Sequence, residues 1–322
     1  MAASQFVNNC TLDALANAAK QLKSGHLVAF PTETVYGLGA DATNQDAVAK
    51  IYKAKGRPQD HPLIVHIGDW QQMGEWAEEI SDYAIDLARA FWPGPMTLIL
   101  NRSVLAKDFI TGGQDTVGIR VPNQTLALQL LNEFAKLGGK GIAAPSANRF
   151  GQVSPTTAIA VQEEIGSFLG SEDLILDGGP CAVGVESTII DCTHANPRIL
   201  RPGAITIEMI ESATGLKVEE IERSEIRVSG SLENHYAPAA QVVLDVDPQP
   251  GDGFIALSEF ETPSGVIRLA GPRSVEAFAH DLYEALRSGD AKELERIVVW
   301  QPKGDGIAIA IRDRLSRAAA GR

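Results

Sequence analysis

The chain has 322 residues, a formal net charge of −13 at pH 7 and a pI near 4.9, which argues against strong nucleic-acid binding because such proteins usually carry a basic face. Hydrophobic residues make up 44% of the sequence, but no run approaches the roughly 18 apolar residues of a membrane helix, and residues 1–10 do not resemble a secretory signal. Cys10, Cys181 and Cys192 form no C-x-x-C pair, so we expect a reducing, cytoplasmic setting without a disulfide framework, zinc site or membrane partner.

The first predicted elements lead into an unusual polar segment. Helical spacing of apolar residues predicts a helix over 11–24 that ends at Gly25, and the apolar run 26–30 predicts a buried strand. Residues 31–41 then bring two hydroxyls, two carboxylates, a phenol and two glycines, which predict a close-packed polar turn. Because ligands bind at strand ends in open α/β sheets, this turn indicates a binding site.

The following elements alternate between helix and strand. Helices are predicted at 44–54, 80–90, 125–136 and 156–169, the last with Ser154 as its N-cap and Pro155 in its first turn. Strands are predicted at 63–67, 97–100, 116–121, 141–144, 174–176, 187–191 and 199–200.

The chain then passes through a helix at 206–214 and a charged segment, 219–234, that predicts a linker. Strands at 242–246, 253–257, 266–269 and 297–300, with helices at 274–287 and 305–319, complete a second α/β unit. We therefore expect three regions: a first domain over 1–215, a linker over 216–239 and a small C-terminal domain over 240–322.

Four cations, Lys50, Lys53, Lys55 and Arg57, lie close together in this acidic chain. They fit the C-terminal end of a helix, where cations complement the helix dipole and Gly56 can end the helix. They equally fit an anion pocket, with lysine as a point charge and arginine as a planar fork on phosphate. Spacing alone leaves both interpretations open.

Two later segments combine small and hydroxyl-bearing residues. Residues 144–148, A-P-S-A-N, predict a turn whose small side chains let a ligand approach the backbone, although serine and asparagine are also ordinary turn residues. Residues 184–188, G-V-E-S-T, predict a loop that opens into a strand. Each segment alone is weak evidence for a site.

Taken together, the segments resemble one family. Residues 31–39, 53–58, 144–148 and 184–188 resemble, in order, the motifs of the YrdC-type domain of threonylcarbamoyl-AMP synthases, over roughly residues 8–210. The H-Y-A-P segment at 235–238 and the α/β tail resemble the long, two-domain form. The resemblance implies a twisted, open mixed sheet of the YrdC type that encloses a basic cavity, followed by a lid-bearing linker and a small Rossmann-like α/β domain.

The resemblance also implies an activity. Members are nucleotidyltransferases that make L-threonylcarbamoyl-adenylate from L-threonine, bicarbonate or CO2, and ATP with Mg²⁺, and release pyrophosphate. A downstream threonylcarbamoyl-transferase complex uses the product to modify the adenosine next to the anticodon of tRNA. Two alternatives stay open: an RNA-binding module of the YrdC type, and a carbamoyl-adenylate-forming carbamoyltransferase relative, although the cysteine pairs of such relatives are absent from this sequence.

The family's residue roles carry over to matching positions here. The basic and polar catalytic tetrad matches Lys55, Arg57, Ser146 and Asn148. The threonine contacts match Thr34, His66, Arg120, Ala144 and Ser187. The ATP contacts match Arg57, His61, Thr116, Ser146, Ser154, Arg201 and Tyr236. No protein side chain is assigned to a metal, and Glu33 and Tyr36 are expected only to shape the pocket. Many relatives carry asparagine at position 61, and many carry Ser-Pro-Gly where this chain has Ser229-Gly230-Ser231.

Overall fold

The computed structural model describes residues 5–7, 10–219, 225–230 and 236–320, which form two sheets surrounded by helices. The strands of the ten-stranded sheet are β1 (Gln5–Val7), β2 (Val28–Phe30), β3 (Gly37–Asp41), β4 (Ile64–His66), β5 (Met96–Asn101), β6 (Thr116–Arg120), β7 (Ile142–Ala143), β8 (Leu174–Leu176), β9 (Thr188–Asp191) and β10 (Arg198–Arg201). Their order is β1-β8-β2-β3-β7-β4-β6-β5-β9-β10, with parallel and antiparallel pairs, which confirms the predicted mixed sheet.

The helices of this domain are α1 (Leu12–Lys23), α2 (Gln45–Lys55), α3 (Met73–Trp76), α4 (Asp82–Phe91), α5 (Asp108–Thr111), α6 (Thr125–Lys136), α7 (Ala158–Ile165) and α8 (Ile207–Thr214). Short 3-10 turns cover Trp70–Gln72 and Gly166–Phe168. Local chemistry sets the ends of α2: the Asn44 side chain caps its first turn, and Gly56 ends it in the left-handed region at φ +63°.

Helices cover both faces of the larger sheet, as the alternation of side chains along β2 shows. Val28 and Phe30 pack on one face, in an apolar cluster with Leu15 of α1 and residues of α6. Ala29 faces the other side and belongs to a cluster that includes Ile51 of α2. A sheet buried on both faces leaves its strand ends as the accessible places for a site.

The predicted polar turn over 31–41 is partly wrong, because Gly37–Asp41 forms β3 and pairs antiparallel with β2. Glycine is disfavoured in strands, which hid this strand in the sequence. The structure shows why it is needed: a Cβ on Gly39 would lie 2.8 Å from side-chain carbons of both Phe30 and Ile142. Only the stretch between β2 and β3 is the tight, polar connection that the sequence predicted.

The prediction that Ser154 caps a helix with Pro155 in its first turn is also wrong. Helix α7 begins at Ala158, and the Thr157 hydroxyl caps it by accepting a hydrogen bond from Ala160 N. The Pro155 carbonyl instead accepts a hydrogen bond from Tyr36 N. This contact holds residues 154 and 155 in an extended segment against the connection between β2 and β3, so Ser154 is free to serve the site.

The C-terminal unit has a sheet of its own. Its strands are β11 (Gln241–Leu244), β12 (Gly253–Ile255), β13 (Ile267–Ala270) and β14 (Arg296–Val299), and its helices are α9 (Val275–Ala291) and α10 (Ile307–Ala319). All strand pairs are parallel, in the order β11-β14-β12-β13. This arrangement confirms the predicted small Rossmann-like α/β fold.

The two units share an apolar core. Val35, Val153 and Val185 of the first unit cluster with Phe278 and Leu282 of α9, and all five are buried. The predicted boundaries at 215 and 239 stay a prediction, and parts of the predicted linker, residues 220–224 and 231–235 with Ser231 and His235, lie outside the described residues. Among the described residues, no helix is long and apolar enough to cross a membrane.

Gly184 makes the tightest backbone approach between the two units. It has φ +82°, and a Cβ there would lie 2.4 Å from the Ala279 carbonyl oxygen of α9. We expect Gly184→Ala to lower the free energy of unfolding by about 2–4 kcal/mol, because it adds an overpacked contact to backbone strain. Gly179→Ala is a matched control in the same loop, with φ +79° and no atom within 4 Å of the added Cβ. Equal urea midpoints for the two variants would contradict this prediction.

Candidate functional site

A small cavity lies where several strands of the larger sheet end. His66 and Arg120 close β4 and β6, two parallel strands, at the same register position. Ala144 follows β7, which runs antiparallel to β4, and donates its N–H to Ile64 O at the start of β4. The cavity measures about 40 Å³. Its lining comprises Thr32, Val35, Gly37, Arg57, Ile64, His66, Arg120, Ala144, Pro145, Ser146, Glu186, Ser187, Arg201, Ser229, Gly230 and Tyr236. Strand ends thus gather residues that are far apart in sequence, as in other open α/β sheets.

Arg120 is held by the polar segment that follows β2. Its Nη2 lies 2.7 Å from Glu33 Oε1 and donates to Thr34 Oγ1 at 2.9 Å. Glu33 is buried and its Oε2 also accepts from Asn123 N. Arg120 Nε is buried and has no hydrogen-bond partner within the described part of the chain. The expectation that Glu33 only shapes the pocket is therefore too weak, because its carboxylate fixes the orientation of Arg120.

Ser187 also lines the cavity. Its hydroxyl is 2.8 Å from Thr97 Oγ1 and accepts from Arg201 Nη2 at 3.1 Å. Thr97 is fully buried on β5, the strand that pairs with β9 next to Ser187. Thr97 orients the Ser187 hydroxyl, and nothing in its local sequence indicated this role.

Two buried arginines, Arg57 and Arg201, both donate hydrogen bonds to Ser229. Arg57 Nη2 donates to Pro62 O at 2.8 Å and to Ser229 Oγ at 3.0 Å. Arg201 donates to Ser187 O and, at 2.7 Å, to Ser229 O. Neither arginine forms an ion pair in the described ranges. Burial lowers the pKa of Arg57 to about 10, so its guanidinium is still charged at neutral pH. Two buried cations bonded to neutral oxygens favour an anionic ligand, because a buried charge is costly without a counter-charge.

Lys55 does not line the cavity but holds the loop that contains Ser146, which does. Its Nζ donates to the backbone carbonyls of Ser146 and Asn148, both at 2.5 Å, and its side chain is buried. Burial, followed by the charge of Arg57, lowers the pKa of Lys55 well below its usual value. The Asn148 amide donates in turn to Arg149 O and Gln152 O. Lys55 and Asn148 therefore fix the loop that presents Ser146 to the cavity.

Three further predicted residues lie at different distances from the lining. Ser154 is buried and donates to Glu186 Oε1 at 2.7 Å, so it reaches the site through Glu186. Thr116 lines a neighbouring narrow cleft that shares Ser229 with the cavity. His61 packs edge-on against Phe150, with ring centroids 5.3 Å apart, and does not line the cavity. Thr34, Lys55 and Ser154 therefore reach the cavity through hydrogen bonds to its lining residues, Asn148 is held by Lys55, and Thr116 and His61 lie beside the cavity. The other predicted residues line it: Arg57, His66, Arg120, Ala144, Ser146, Ser187, Arg201 and Tyr236.

His66 is a buried, neutral member of the site. Burial first, and the nearby charge of Arg120 second, lower the pKa of His66 to about 3. Its Nδ1 is buried without a hydrogen-bond partner among residues that the structure describes. His66 therefore acts near neutral pH as an uncharged donor or acceptor.

The low pKa of His66 predicts a pH-dependent stability. The folded state binds the proton more weakly than the unfolded chain, so stability is present above pH 6.5 and is lost as pH falls toward 3. We expect His66→Asn to be less stable than the wild type at pH 7, with a gap that narrows by about 2 kcal/mol at pH 5. Urea unfolding at both pH values measures the gap. A constant gap would show that His66 titrates normally.

Glu186 was missed at the sequence level, although it lines the cavity. Burial alone would raise its pKa, but the charges of Arg314 and Arg201 and its hydrogen bonds hold it at about 2. Its carboxylate is thus ionised at neutral pH. The sequence shows Glu186 between a valine and a serine, but its main partner, Arg314, lies 128 positions away, so no local pattern indicated its role.

The carboxylates beside the cavity are not placed to hold a metal ion. Glu33 is engaged by Arg120, and Glu186 by Ser154 and Arg314. Within the described residues, no group of three or more His, Cys, Asp or Glu side chains could bind a metal. Mg²⁺ prefers free carboxylate oxygens, and neither of these two carboxylates is free.

Two family models match the chain. The model described as "Telomere recombination" (Sua5_yciO_yrdC) matches residues 20–203, and the model described as "Threonylcarbamoyl-AMP synthase, C-terminal domain" (Sua5_C) matches residues 205–320. Together they span the cavity lining, the smaller sheet and every strand of the larger sheet except β1.

Individual relatives are similar over nearly their whole lengths. The chain is 38% identical over 327 residues to the threonylcarbamoyl-AMP synthase of Pyrococcus abyssi, covering 95% of this chain and 94% of the relative. It is 40% identical over 330 residues to that of Bacillus subtilis, covering 96% and 93%. The crystal structure of P. abyssi Sua5 complexed with L-threonine superposes with a TM-score of 0.87 at 36% identity, covering 99% of this chain and 98% of that chain.

Proposed function

This chain belongs to the threonylcarbamoyl-AMP synthase family, and from that premise we propose that it makes L-threonylcarbamoyl-adenylate from L-threonine, bicarbonate or CO2, and ATP. It acts as a nucleotidyltransferase and releases pyrophosphate. The observation that carries the proposal is the pair of buried arginines, Arg57 and Arg201, which face neutral oxygens beside a third arginine, Arg120. The substrates are anionic, and the site supplies the opposite charge.

The threonine half of the site is the wall around Arg120. A guanidinium that keeps unused N–H groups next to the cavity can bind a carboxylate bidentately. The Ser187 hydroxyl and neutral His66 lie on the same cavity and can bind the amine and hydroxyl of threonine. A relative of this fold has been crystallised with L-threonine, which supports the same substrate here.

The nucleotide half is the wall around Arg57, Arg201 and Ser146. These groups take the triphosphate, with Mg²⁺ arriving on its oxygens. A cavity of about 40 Å³ holds little more than water, so ATP enters only when lining residues such as Ser229, Gly230 and Tyr236 move aside. Ser229 then gives up its hydrogen bonds to the two arginines, and phosphate oxygens replace it.

The chemistry needs no protein nucleophile. The amine nitrogen of threonine bonds to the carbon of CO2, or of bicarbonate with loss of water, and gives up a proton to form the carbamate. A carbamate oxygen then attacks the α-phosphorus of ATP, and the bond from that phosphorus to the β-phosphate bridging oxygen breaks. The protein's contribution is positioning and charge stabilisation, together with exclusion of water from the labile carbamate.

The product's role follows from its chemistry and family. A mixed anhydride with AMP is an activated acyl donor, and a downstream threonylcarbamoyl-transferase complex acting on tRNA consumes it in this proposal. The cytoplasmic setting predicted from the cysteines is part of the same proposal. The chain itself, with a net charge of −13, is not expected to bind tRNA strongly.

A pyrophosphate-release assay tests the function. The wild type should release pyrophosphate from ATP only when threonine and bicarbonate are both present, and Arg57→Ala should lose at least about 100-fold of that activity. Mass spectrometry should detect threonylcarbamoyl-AMP in the same mixture. Pyrophosphate release that is unchanged when threonine is omitted would refute the proposal. Salt-sensitive micromolar tRNA binding without ATP would instead support an RNA-binding module.

A further inference from the structure

The carboxylate of Glu186 connects the cavity to the C-terminal domain. One oxygen, Oε1, accepts from Ser154 Oγ at 2.7 Å on the catalytic side. The other, Oε2, accepts from Tyr283 OH at 2.8 Å and from Arg314 Nε at 2.9 Å. Tyr283 belongs to α9 and Arg314 to α10, so both come from the C-terminal domain. A cavity-lining group thus has its partners in two domains.

Arg314 is buried, and its contacts all lie near the cavity or within its own helix. It is 1% exposed, and its Nη2 donates to the Pro202 carbonyl, in the segment directly after Arg201. Its Nη1 donates to Asp313, at 2.6 Å. Its guanidinium carbon also lies 5.5 Å from the centre of the Tyr236 ring. The Arg314 side chain therefore contacts both Glu186 and the Tyr236 ring, which lines the cavity.

Tyr283 makes the same two connections. Besides its hydrogen bond to Glu186, its ring stacks on that of Tyr236, with centroids 5.6 Å apart and planes at 22°. Tyr236 lines the cavity. The C-terminal domain thus supports a wall carboxylate and a wall aromatic ring through the same pair of residues.

The charge of this arrangement matters for a nucleotide. Glu186 is ionised and lies on the same cavity as Arg57 and Arg201, where it would repel phosphate oxygens. Arg314 places a positive charge on the far side of that carboxylate and balances it. A domain interface held for stability alone has little need of a buried ion pair, because apolar residues of similar size usually serve as well.

We propose that Arg314 and Tyr283 are positioning residues for the nucleotide half of the site: they hold and neutralise Glu186 and hold the Tyr236 ring, and through Glu186 they orient the Ser154 hydroxyl. This inference rests on the proposed function, and it gives the C-terminal domain a part in ATP binding. Threonine, which lies toward Arg120, is outside its reach.

Steady-state kinetics and calorimetric titration of ATP test the proposal on the full chain. Arg314→Met should raise both the KM and the Kd for ATP about tenfold or more, with the KM for threonine changed less than about twofold. Adding Glu186→Gln to Arg314→Met should recover most of the ATP affinity, because the unbalanced carboxylate is removed while an oxygen that accepts from Ser154 stays. Tyr283→Phe, the mildest change, should raise the Kd for ATP about threefold.

Arg296→Met is the matched control. Arg296 forms an ion pair with Asp252 inside the C-terminal domain, with atoms 2.5 Å apart, and neither residue lines the cavity. Its loss should lower the melting temperature slightly and leave ATP binding unchanged.

Three results would overturn the proposal: an unchanged Kd for ATP in folded Tyr283→Phe and Arg314→Met, a parallel rise in the KM for ATP and threonine, or no recovery in the double variant. The calorimetric arm separates this inference from the proposed function. A chain that binds ATP in an Arg314-dependent manner but makes no threonylcarbamoyl-AMP would refute the activity and support the positioning role. A chain that makes threonylcarbamoyl-AMP but binds ATP equally well without Arg314 would support the activity and refute the positioning role.

Discussion

Replacing Arg120 by methionine should lower kcat/KM for L-threonine by about a thousandfold, because the substrate carboxylate loses a charged, two-pronged partner in a buried site. The same change should lower the free energy of unfolding by about 3–5 kcal/mol, since Glu33 then keeps a buried charge without its cation. Threonine-dependent pyrophosphate release and urea unfolding measure the two effects.

The double variant Arg120→Met with Glu33→Gln separates binding from folding. The amide of a glutamine can still accept from Asn123 N, as Glu33 Oε2 does, and no charge is left unpaired. We expect its stability to return to within about 1 kcal/mol of the wild type, while activity stays low. Activity within tenfold of the wild type in this double variant would show that Arg120 does not bind the carboxylate.

Replacing Lys55 by methionine should reduce kcat about 100-fold and lower the free energy of unfolding by about 2–4 kcal/mol. The buried carbonyls of Ser146 and Asn148 would lose their shared donor, and the loop carrying Ser146 would shift. Activity and stability are expected to fall together, because Lys55 acts by holding backbone that lines the nucleotide half.

Lys53→Met is the matched control for this prediction. Lys53 lies on the same last turn of α2 but is exposed, so its loss should change neither quantity by more than a small amount. If Lys55→Met instead keeps wild-type stability and raises only the KM for ATP, the lysine contacts phosphate directly and the tethering role is wrong.

Much of the fold was predictable from apolar periodicity and capping chemistry. Thr11, Asn44 and Gly56 marked helix ends that the structure confirms. Strand β3 was not predicted, because its glycines serve close packing against Phe30 and Ile142, which are distant side chains that no local pattern reports. The start of α7 was misplaced because Ser154 and Pro155 carry a capping pattern, while their actual contacts lie at Tyr36 and Glu186.

For the site, the sequence indicated residues that touch the cavity better than residues that orient them. Arg57, Ser146 and Ser187 lie in short motifs and do line it. Glu33 and Thr97 act through partners 87 and 90 positions away, a distance at which a single sequence carries no signal of contact. The same holds for contacts between the two domains, such as those of Glu186 with Tyr283 and Arg314, because the residues in contact lie in different domains.

The shared core between the domains has a consequence for synthesis of the chain. Val35, Val153 and Val185 are covered by side chains of α9, which leaves the ribosome later. At typical bacterial and eukaryotic elongation rates, roughly 5–20 s separate the translation of Val185 from that of Leu282. During that interval the growing chain presents an apolar valine face beside unbalanced charge at Glu186. We expect chains released early, before α9, to be recognised by chaperones or to aggregate, so that only completed copies reach the soluble pool.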